Sequence, residues 1–372
     1  MRILHVASFL GNIGDNFNHY GTRKLLEKKF GKIDWVEIEI RETFRKNFSF
    51  DKSFAKYCNE FDAVIFGGGN FFELWVDKSV NNTSADIAFE VIDLIRVPFY
   101  FYALGVDPGM GITEKGISKF IKWINYVKQK SNFYLSCRND GAFKILKEIF
   151  PDEFYLNFQQ LMDGGFLVDK DKLINKYNSK DCKYIGINIA GDMLDLRFNK
   201  DISYSRFLEL FSKNISLIIK NNSTYKILLI PHIFRDLKVI NDLLEIVDDK
   251  YRRERIDVAP LFQGSDGMKR TVEEYQKCSI VLANRFHSNV IALILQKNVF
   301  GLYNYRQIKD LYNEINLENY FDIRTEEGII HLFKIISKFL KDDTIEHHKI
   351  SSLYLSENKK NTLNFFKKLN EK

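Results

Sequence analysis

Four cysteines in 372 residues, Cys58, Cys137, Cys182 and Cys278, stand far apart with no C-x-x-C pair. That spacing argues against a structural zinc site or a disulfide scaffold and fits free thiols in a reducing compartment. Apolar runs are short, and none nears the ~20 residues of a transmembrane helix. The opening "MRILHVASFLGNIGDNF" runs quickly into Gly, Asn and Asp, so it reads as a first strand rather than a signal peptide. These points predict a soluble, cytoplasmic protein. A basic arm is also missing. The net charge of +6 is spread over interleaved Lys, Arg, Asp and Glu, which excludes the nucleic-acid-binding class and suits a small anionic substrate better. Neither G-x-G-x-x-G nor a Walker motif occurs, so nicotinamide and ATP binding have no sequence support. His5, His19, His331, His347 and His348 are scattered, and no metal or cofactor is expected.

What is present is alternation. The strand-like runs "RILHVAS", "WVEIEI", "DAVIFGG", "PFYFYAL", "FYLSCR" and "EFYLNF" are separated by helical stretches such as "NHYGTRKLLEKKF" and "ISKFIKWINYVKQK". The polar segment 168–183 reads as a linker. Alternation then restarts with "KYIGINIA", "RFLELFSKNISLIIK", "YKILLIPH", "VINDLLEIV", "SIVLANR", "NVIALILQ" and "NVFGLYN". The pattern predicts α/β architecture with two doubly wound, Rossmann-like domains in tandem and a cleft between them. The expected boundaries are 1–170, 181–345 and a helical tail 346–372. The tail is amphipathic with Lys on its polar face; it fits packing across the domains, or lying peripherally on a membrane surface.

In open parallel sheets, ligands bind beyond the carboxyl ends of the strands. The unusual residues fall there. Asn12, Gly14 and Asp15 follow the first strand, where a helix N-terminus favours anions. The triplet Gly67, Gly68 and Gly69, followed by Asn70, allows close approach to the backbone. Arg138 ends "LSCR", Asp163 sits in "LMDGGF", and His232 follows Pro231 after an apolar strand. Arg285 and His287 lie at the seam between "SIVLA" and "NVIALILQ", with Lys309 downstream. A guanidinium, an imidazole and an ammonium around one cleft suit a phosphorylated, carboxylated ligand. An imidazole with an ordinary pKa near ~6.5 can serve as a proton donor. The plainer reading pairs Arg285 with a helix carboxylate and makes His287 a cap.

Taken in order, these loops resemble the polysaccharide pyruvyl transferase family over roughly residues 3–321. The resemblance rests on N-x-G-D at Asn12–Asp15, the glycine triplet, "LGVDPG" at Leu104–Gly109 and "CRND" at Cys137–Asp140. It continues in "PH" at Pro231 and His232, "NRFHSNVIA" at Asn284–Ala292, and Y-x-x-x-K at Tyr305–Lys309. It implies a GT-B-like fold and transfer of the pyruvyl group of phosphoenolpyruvate to two hydroxyls of a sugar in a surface-polysaccharide precursor. A cyclic ketal forms and phosphate leaves. The acceptor would be lipid-linked or nucleotide-linked and bound on the first domain. On this analogy His287 is the general acid, and Arg138, Arg285 and Lys309 grip phosphate and carboxylate. Asp15 or Asp163 takes a hydroxyl proton, and the glycine amides contact substrate. Two segments depart from the family pattern: "ALGVDPG" has Ala103 where glycine is expected and Asp107 before Pro108, and "MDGGF" replaces a D-P-A-F-like stretch. Two other readings remain open, a GT-B glycosyltransferase using a nucleotide sugar and a non-catalytic glycan- or partner-binding protein. The sugar, the hydroxyl pair, the ketal stereochemistry and the oligomeric state are not legible.

Overall fold

A computed structural model describes residues 1–173, 183–198, 200–341 and 349–370. Cys182, His347, His348 and most of the expected linker lie outside the described residues. The chain forms two compact units. The first contains Met1–Phe9, Asn18–Val168 and Ser352–Lys372, and the second contains Leu10–Phe17 and Asp169–Ser351. The division therefore differs from a simple cut near residue 170. A short N-terminal segment belongs with the second unit, and the last helix, Ser352–Phe365, belongs with the first.

The first unit holds β1 (Arg2–Ala7), β2 (Asp34–Glu39), β3 (Ala63–Gly67), β4 (Phe72–Glu73), β5 (Phe99–Leu104), β6 (Val106–Asp107), β7 (Phe133–Arg138) and β8 (Gln159–Leu161). Six of them form one parallel sheet in the order β2-β1-β3-β5-β7-β8, while β4 and β6 pair separately. Strand period two explains the hydrophobic sequence runs. Leu4, Val6, Val64, Phe66, Phe99 and Phe101 turn to one core. Ile3, Ala63, Ile65, Tyr100 and Tyr102 turn to the other face, where Phe365, Phe366 and Leu369 of the tail cover them. Both faces are buried, as a parallel sheet requires. The excess of phenylalanine goes largely into the first of these cores, around Phe72, Phe120 and Trp123.

The second unit holds β9 (Lys183–Asn188), β10 (Tyr225–Leu229), β11 (Ile256–Val258), β12 (Cys278–Ala283), β13 (Asn298–Tyr303) and β14 (Tyr320–Asp322), all parallel, in the order β11-β10-β9-β12-β13-β14. The helix Glu326–Phe339 commits Ile329, Leu332, Phe333 and Ile336 to this unit's core. In the tail, Thr362, Phe365, Phe366 and Leu369 are buried while Leu353 is exposed, and no described helix is long and apolar enough to cross a membrane.

One expected strand is displaced. "EFYLNF" forms a 3-10 turn at Phe154–Asn157 and the strand begins at Gln159. Glu153 takes a left-handed φ of 66°, and the Asn157 amide donates to the Phe154 carbonyl, so local turn chemistry overrides the aromatic run. β11, β14 and the β4–β6 pair are only two or three residues long, too short for a periodic signal.

Candidate active site

In each sheet the strand order reverses at one point, which is where open α/β sheets bind ligands. In the second unit that point lies between β9 and β12. The loop after β9 carries Asp192, and the residues after β12 are Asn284, Arg285, Phe286 and His287. The helix begins at Phe286, earlier than the apolar run alone suggests. Arg285 is its N-cap, in extended conformation and without a side-chain capping bond. His287 therefore sits in the first turn.

Arg285 is not an open cation. Its Nε donates to Asp236 Oδ2 at 2.8 Å, and its Nη2 reaches both Asp236 Oδ1 and Asp192 Oδ1. Asp236, first residue of the helix Asp236–Ile246, also accepts from the backbone N–H of Gly191 at 3.0 Å, His232 at 2.9 Å and Ile233 at 3.2 Å. One buried carboxylate thus ties together the loops after β9, β10 and β12. Burial works against the Arg285 charge, but Asp236 and Asp192 outweigh it and hold its pKa above the usual range. The plainer expectation, pairing with a helix carboxylate, is what the structure shows for this side chain.

Arg197 joins this cluster from the end of the short helix Leu194–Arg197. It is buried, donates to the Asp192 carbonyl at 2.9 Å and to Asn304 Oδ1 at 3.1 Å, and lies 3.3 Å from Asp192 Oδ2. Burial opposes the charge of Asp192, yet Arg285 and Arg197 keep its carboxyl well below the ordinary range. The signal available for Asp192 was its place after "YIGINIAG", a strand end like those that were read. Arg197 carries no such signal, because it ends a short helix, and Asp236 stands at the start of its helix, past the strand end that marks His232.

His287 is 6% exposed, and its Nδ1 lies 3.9 Å from Asp15 Oδ1. Gly14 explains the glycine in N-x-G-D. A Cβ there would fall 2.4 Å from His287 Cβ and 2.5 Å from its Nδ1, so only glycine lets the imidazole sit against this turn. Asn12 Oδ1 accepts from the Gly14 N–H at 3.1 Å, and the Ile13 N–H reaches the His232 carbonyl at 3.4 Å. Asn12, Gly14, Asp15, His232, Arg285 and His287 are therefore brought together within one unit.

His232 is fully buried, with Nε2 2.7 Å from Tyr275 Oη, which in turn donates to Ser288 Oγ at 2.7 Å. Burial, with Arg285 and His287 nearby, lowers its pKa to about 3 despite Asp236, so it stays neutral and cannot act as a cation. Lys309 is exposed on the helix Arg306–Glu314. Among the described residues, no hydrogen bond or ion pair joins it to Arg285 or His287.

The first-unit residues form a separate cluster. Arg138 Nε and Nη2 donate to Asp140 Oδ2 at 3.0 and 2.8 Å, and Nη1 lies 3.4 Å from Asp163 Oδ2. Asp163 also accepts from Asn18 Nδ2 at 2.5 Å and from the Gly165 N–H at 2.8 Å. With both carboxylates at 0% exposure, Arg138 reads as a brace, and Asp163 is sealed from any acceptor hydroxyl. Gly67 and Gly68 have φ of 129° and 83°, and Cβ atoms there would strike the Tyr102 carbonyl and Asn18. The triplet thus serves close packing of β3 on its neighbours. Asn70 Nδ2 donates to Asp107 Oδ2 at 3.1 Å. Ala103, where glycine was expected, holds a left-handed φ of 44°.

Glu73 ends the two-residue strand β4. Burial, with Asp107 beside it, raises its carboxyl to about 7 although Ser84 Oγ donates to it. Among the described residues, no three His, Cys, Asp or Glu side chains converge as a metal site needs. Cys58, Cys137 and Cys278 are free and buried, and burial pushes their thiols up.

No curated protein sequence matches the chain. Solved structures do, at low identity. The Methanocaldococcus jannaschii UDP-GlcNAc 2-epimerase in complex with UDP-GlcNAc and UDP matches with a TM-score of 0.57 and 13% identity, covering 99% of this chain and 100% of that one. A glycosyltransferase from Rickettsia africae gives 0.56 and 13%, covering 98% and 94%. The Staphylococcus aureus MnaA–UDP structure gives 0.55 and 10%, covering 100% and 98%. These likenesses establish the fold, two Rossmann-like units of the GT-B kind. The family model for polysaccharide pyruvyl transferase matches residues 12–306, a span that contains Asp15, Arg138, His232, Arg285 and His287. The chain belongs to the polysaccharide pyruvyl transferase family.

Proposed function

We propose that the protein transfers the pyruvyl group of phosphoenolpyruvate to two hydroxyls of a sugar in a polysaccharide precursor, giving a cyclic ketal and phosphate. The observation that carries this reading is His287, packed on Gly14 and 3.9 Å from Asp15, inside the matched family span. The imidazole delivers a proton to the methylene carbon of phosphoenolpyruvate, and C2 becomes the electrophile. One sugar hydroxyl adds to C2, the C2–O bond to phosphate breaks, and the second hydroxyl closes the ketal. Of the two hydroxyl protons, one balances the proton placed on the methyl group and the other leaves with phosphate. Asp15 orients the imidazole, and Arg285, fixed by Asp236, stabilises anionic charge beside it. Asp163 has no part in proton transfer, because its oxygens are taken up in the Arg138 cluster. Phosphoenolpyruvate is a substrate here; the reaction uses no resident cofactor. The acceptor is a lipid-linked or nucleotide-linked sugar of capsule or exopolysaccharide synthesis, handled at the cytoplasmic face of the membrane.

The test is phosphate release from phosphoenolpyruvate with galactose-, glucose- and N-acetylmannosamine-containing acceptors. Acceptor-dependent release with a pyruvyl mass gain on the sugar supports the reading. A melting temperature raised by a nucleotide sugar but not by phosphoenolpyruvate, with no release, overturns it in favour of glycosyl transfer.

A further inference from the structure

Asp192 differs from the other carboxylates of its cluster. Asp236 is 1% exposed and accepts from three backbone N–H groups, so its place is fixed by the fold. Asp192 is 19% exposed, and its carboxylate bridges Arg285 on one oxygen and Arg197 on the other. The next residue, Met193, takes a left-handed φ of 55°, a strained conformation for a residue with a side chain. This loop presses a carboxylate between two arginines.

A neighbouring amide carries an unused donor. Asn304 Oδ1 accepts from Arg197 Nη1 at 3.1 Å and from Asn284 Nδ2 at 2.8 Å, which fixes the orientation of the amide. Its Nδ2 is then left buried without a hydrogen-bond partner, although Asn304 is only 2% exposed. Such a donor is costly to leave unmet, and an oxygen-rich ligand would satisfy it. With Asp192 in place, two guanidinium groups face two carboxylates and the cluster is neutral. With Asp192 swung out, Arg285 keeps Asp236, and Arg197 has an open guanidinium edge.

We infer that Arg197, Arg285 and Asn304 form a binding site for a phosphate group, and that the Asp192 carboxylate occupies it as a stand-in until a phosphate displaces it. The proposal rests on the pyruvyl-transfer reading only for the name of the natural ligand. A phosphate group can come from phosphoenolpyruvate or from a nucleotide-linked acceptor, and the arms of the experiment separate them.

Binding of inorganic phosphate, phosphoenolpyruvate and uridine diphosphate is measured by calorimetry on the wild-type protein, Asp192→Asn, Asp192→Glu and the double variant Asp192→Asn/Arg197→Gln. Removing the competing charge should lower the phosphate Kd of Asp192→Asn on the order of tenfold. Asp192→Glu should stay near wild type, and the double variant should lose the gain. A well-folded Asp192→Asn that binds phosphate no better than wild type overturns the proposal. A second measurement needs no variant. Saturating phosphate should increase hydrogen exchange across residues 191–197 of the wild-type chain as Asp192 is released, and unchanged or slower exchange there also overturns it. If Asp192→Asn gains affinity for phosphate and uridine diphosphate but not for phosphoenolpyruvate, the displaced-carboxylate site stands and the pyruvyl-transfer reading fails.

Discussion

The two units solve the same problem with different strand orders. Counting only main-sheet strands, the first runs 2-1-3-4-5-6 and the second 3-2-1-4-5-6. Each places an arginine at a strand end and clamps it between two carboxylates: Arg138 with Asp140 and Asp163, and Arg285 with Asp236 and Asp192. The exposures separate them. In the first unit the arginine is 4% exposed and both acids are at 0%. In the second the arginine is 13% exposed and one acid 19%, with His287 two residues away. A sealed ion cluster holds a fold together; one with an open carboxylate beside an imidazole can exchange that carboxylate for a ligand. The comparison teaches that a strand-end arginine carries no functional meaning until the exposure of its partners is known.

The comparison breaks most visibly at His287. On the proposed mechanism His287→Ala should lower acceptor-dependent phosphate release by about 10² to 10⁴-fold, the usual weight of a general acid, with circular dichroism unchanged. Normal turnover in that variant would remove the imidazole from the chemistry. In the first unit the largest effect should fall on stability instead. Arg138→Ala leaves Asp140 and Asp163 buried and uncompensated, and should cost about 3–5 kcal/mol in urea unfolding. A loss below about 1 kcal/mol would mean that water reaches the cluster.

Acid–base behaviour should differ between the units too. Glu73 has a folded pKa raised to about 7, so the folded state holds its proton more tightly. Its contribution is present below the unfolded value near 4.5 and is lost as pH rises through 7. His232 has the opposite sign. Its folded pKa of about 3 means stability is lost as pH falls below the ordinary histidine range. Denaturation curves between pH 4.5 and 7.5 should therefore show Glu73→Gln gaining about 2 to 3 kcal/mol on wild type at the alkaline end, and nothing at the acid end. A difference independent of pH would show that Glu73 titrates normally. The smallest effect is expected at Lys309. Being exposed, its change to Ala should alter kcat/KM by roughly twofold or less, and a hundredfold loss would return it to the site.

What was legible followed from pattern and position. Alternating strands and helices gave two doubly wound units, and the strand-end rule brought Asn12, Gly14, Asp15, His232, Arg285 and His287 into view before any geometry. What escaped depended on pairing. Asp236 and Arg197 look like ordinary helix residues until the loops after β9, β10 and β12 converge on them. For Lys309, a Y-x-x-x-K spacing fixes a helix position without fixing which face meets the site, and the side chain is exposed. At the glycine triplet, Gly67 and Gly68 have protein atoms where a Cβ would sit, a close approach that a run of glycines signals without naming what approaches.

The return of the chain to the first unit has a consequence for synthesis. The sheet face bearing Ile3, Ile65, Tyr100 and Tyr102 is covered by Phe365, Phe366 and Leu369, which leave the ribosome after the whole second unit. At about 5–20 residues per second, roughly ten seconds or more pass with that aromatic face uncovered. The first unit's sheet therefore waits for its last covering residues, and a chain truncated at residue 340 should bind a hydrophobic dye more strongly than the full 372-residue chain does.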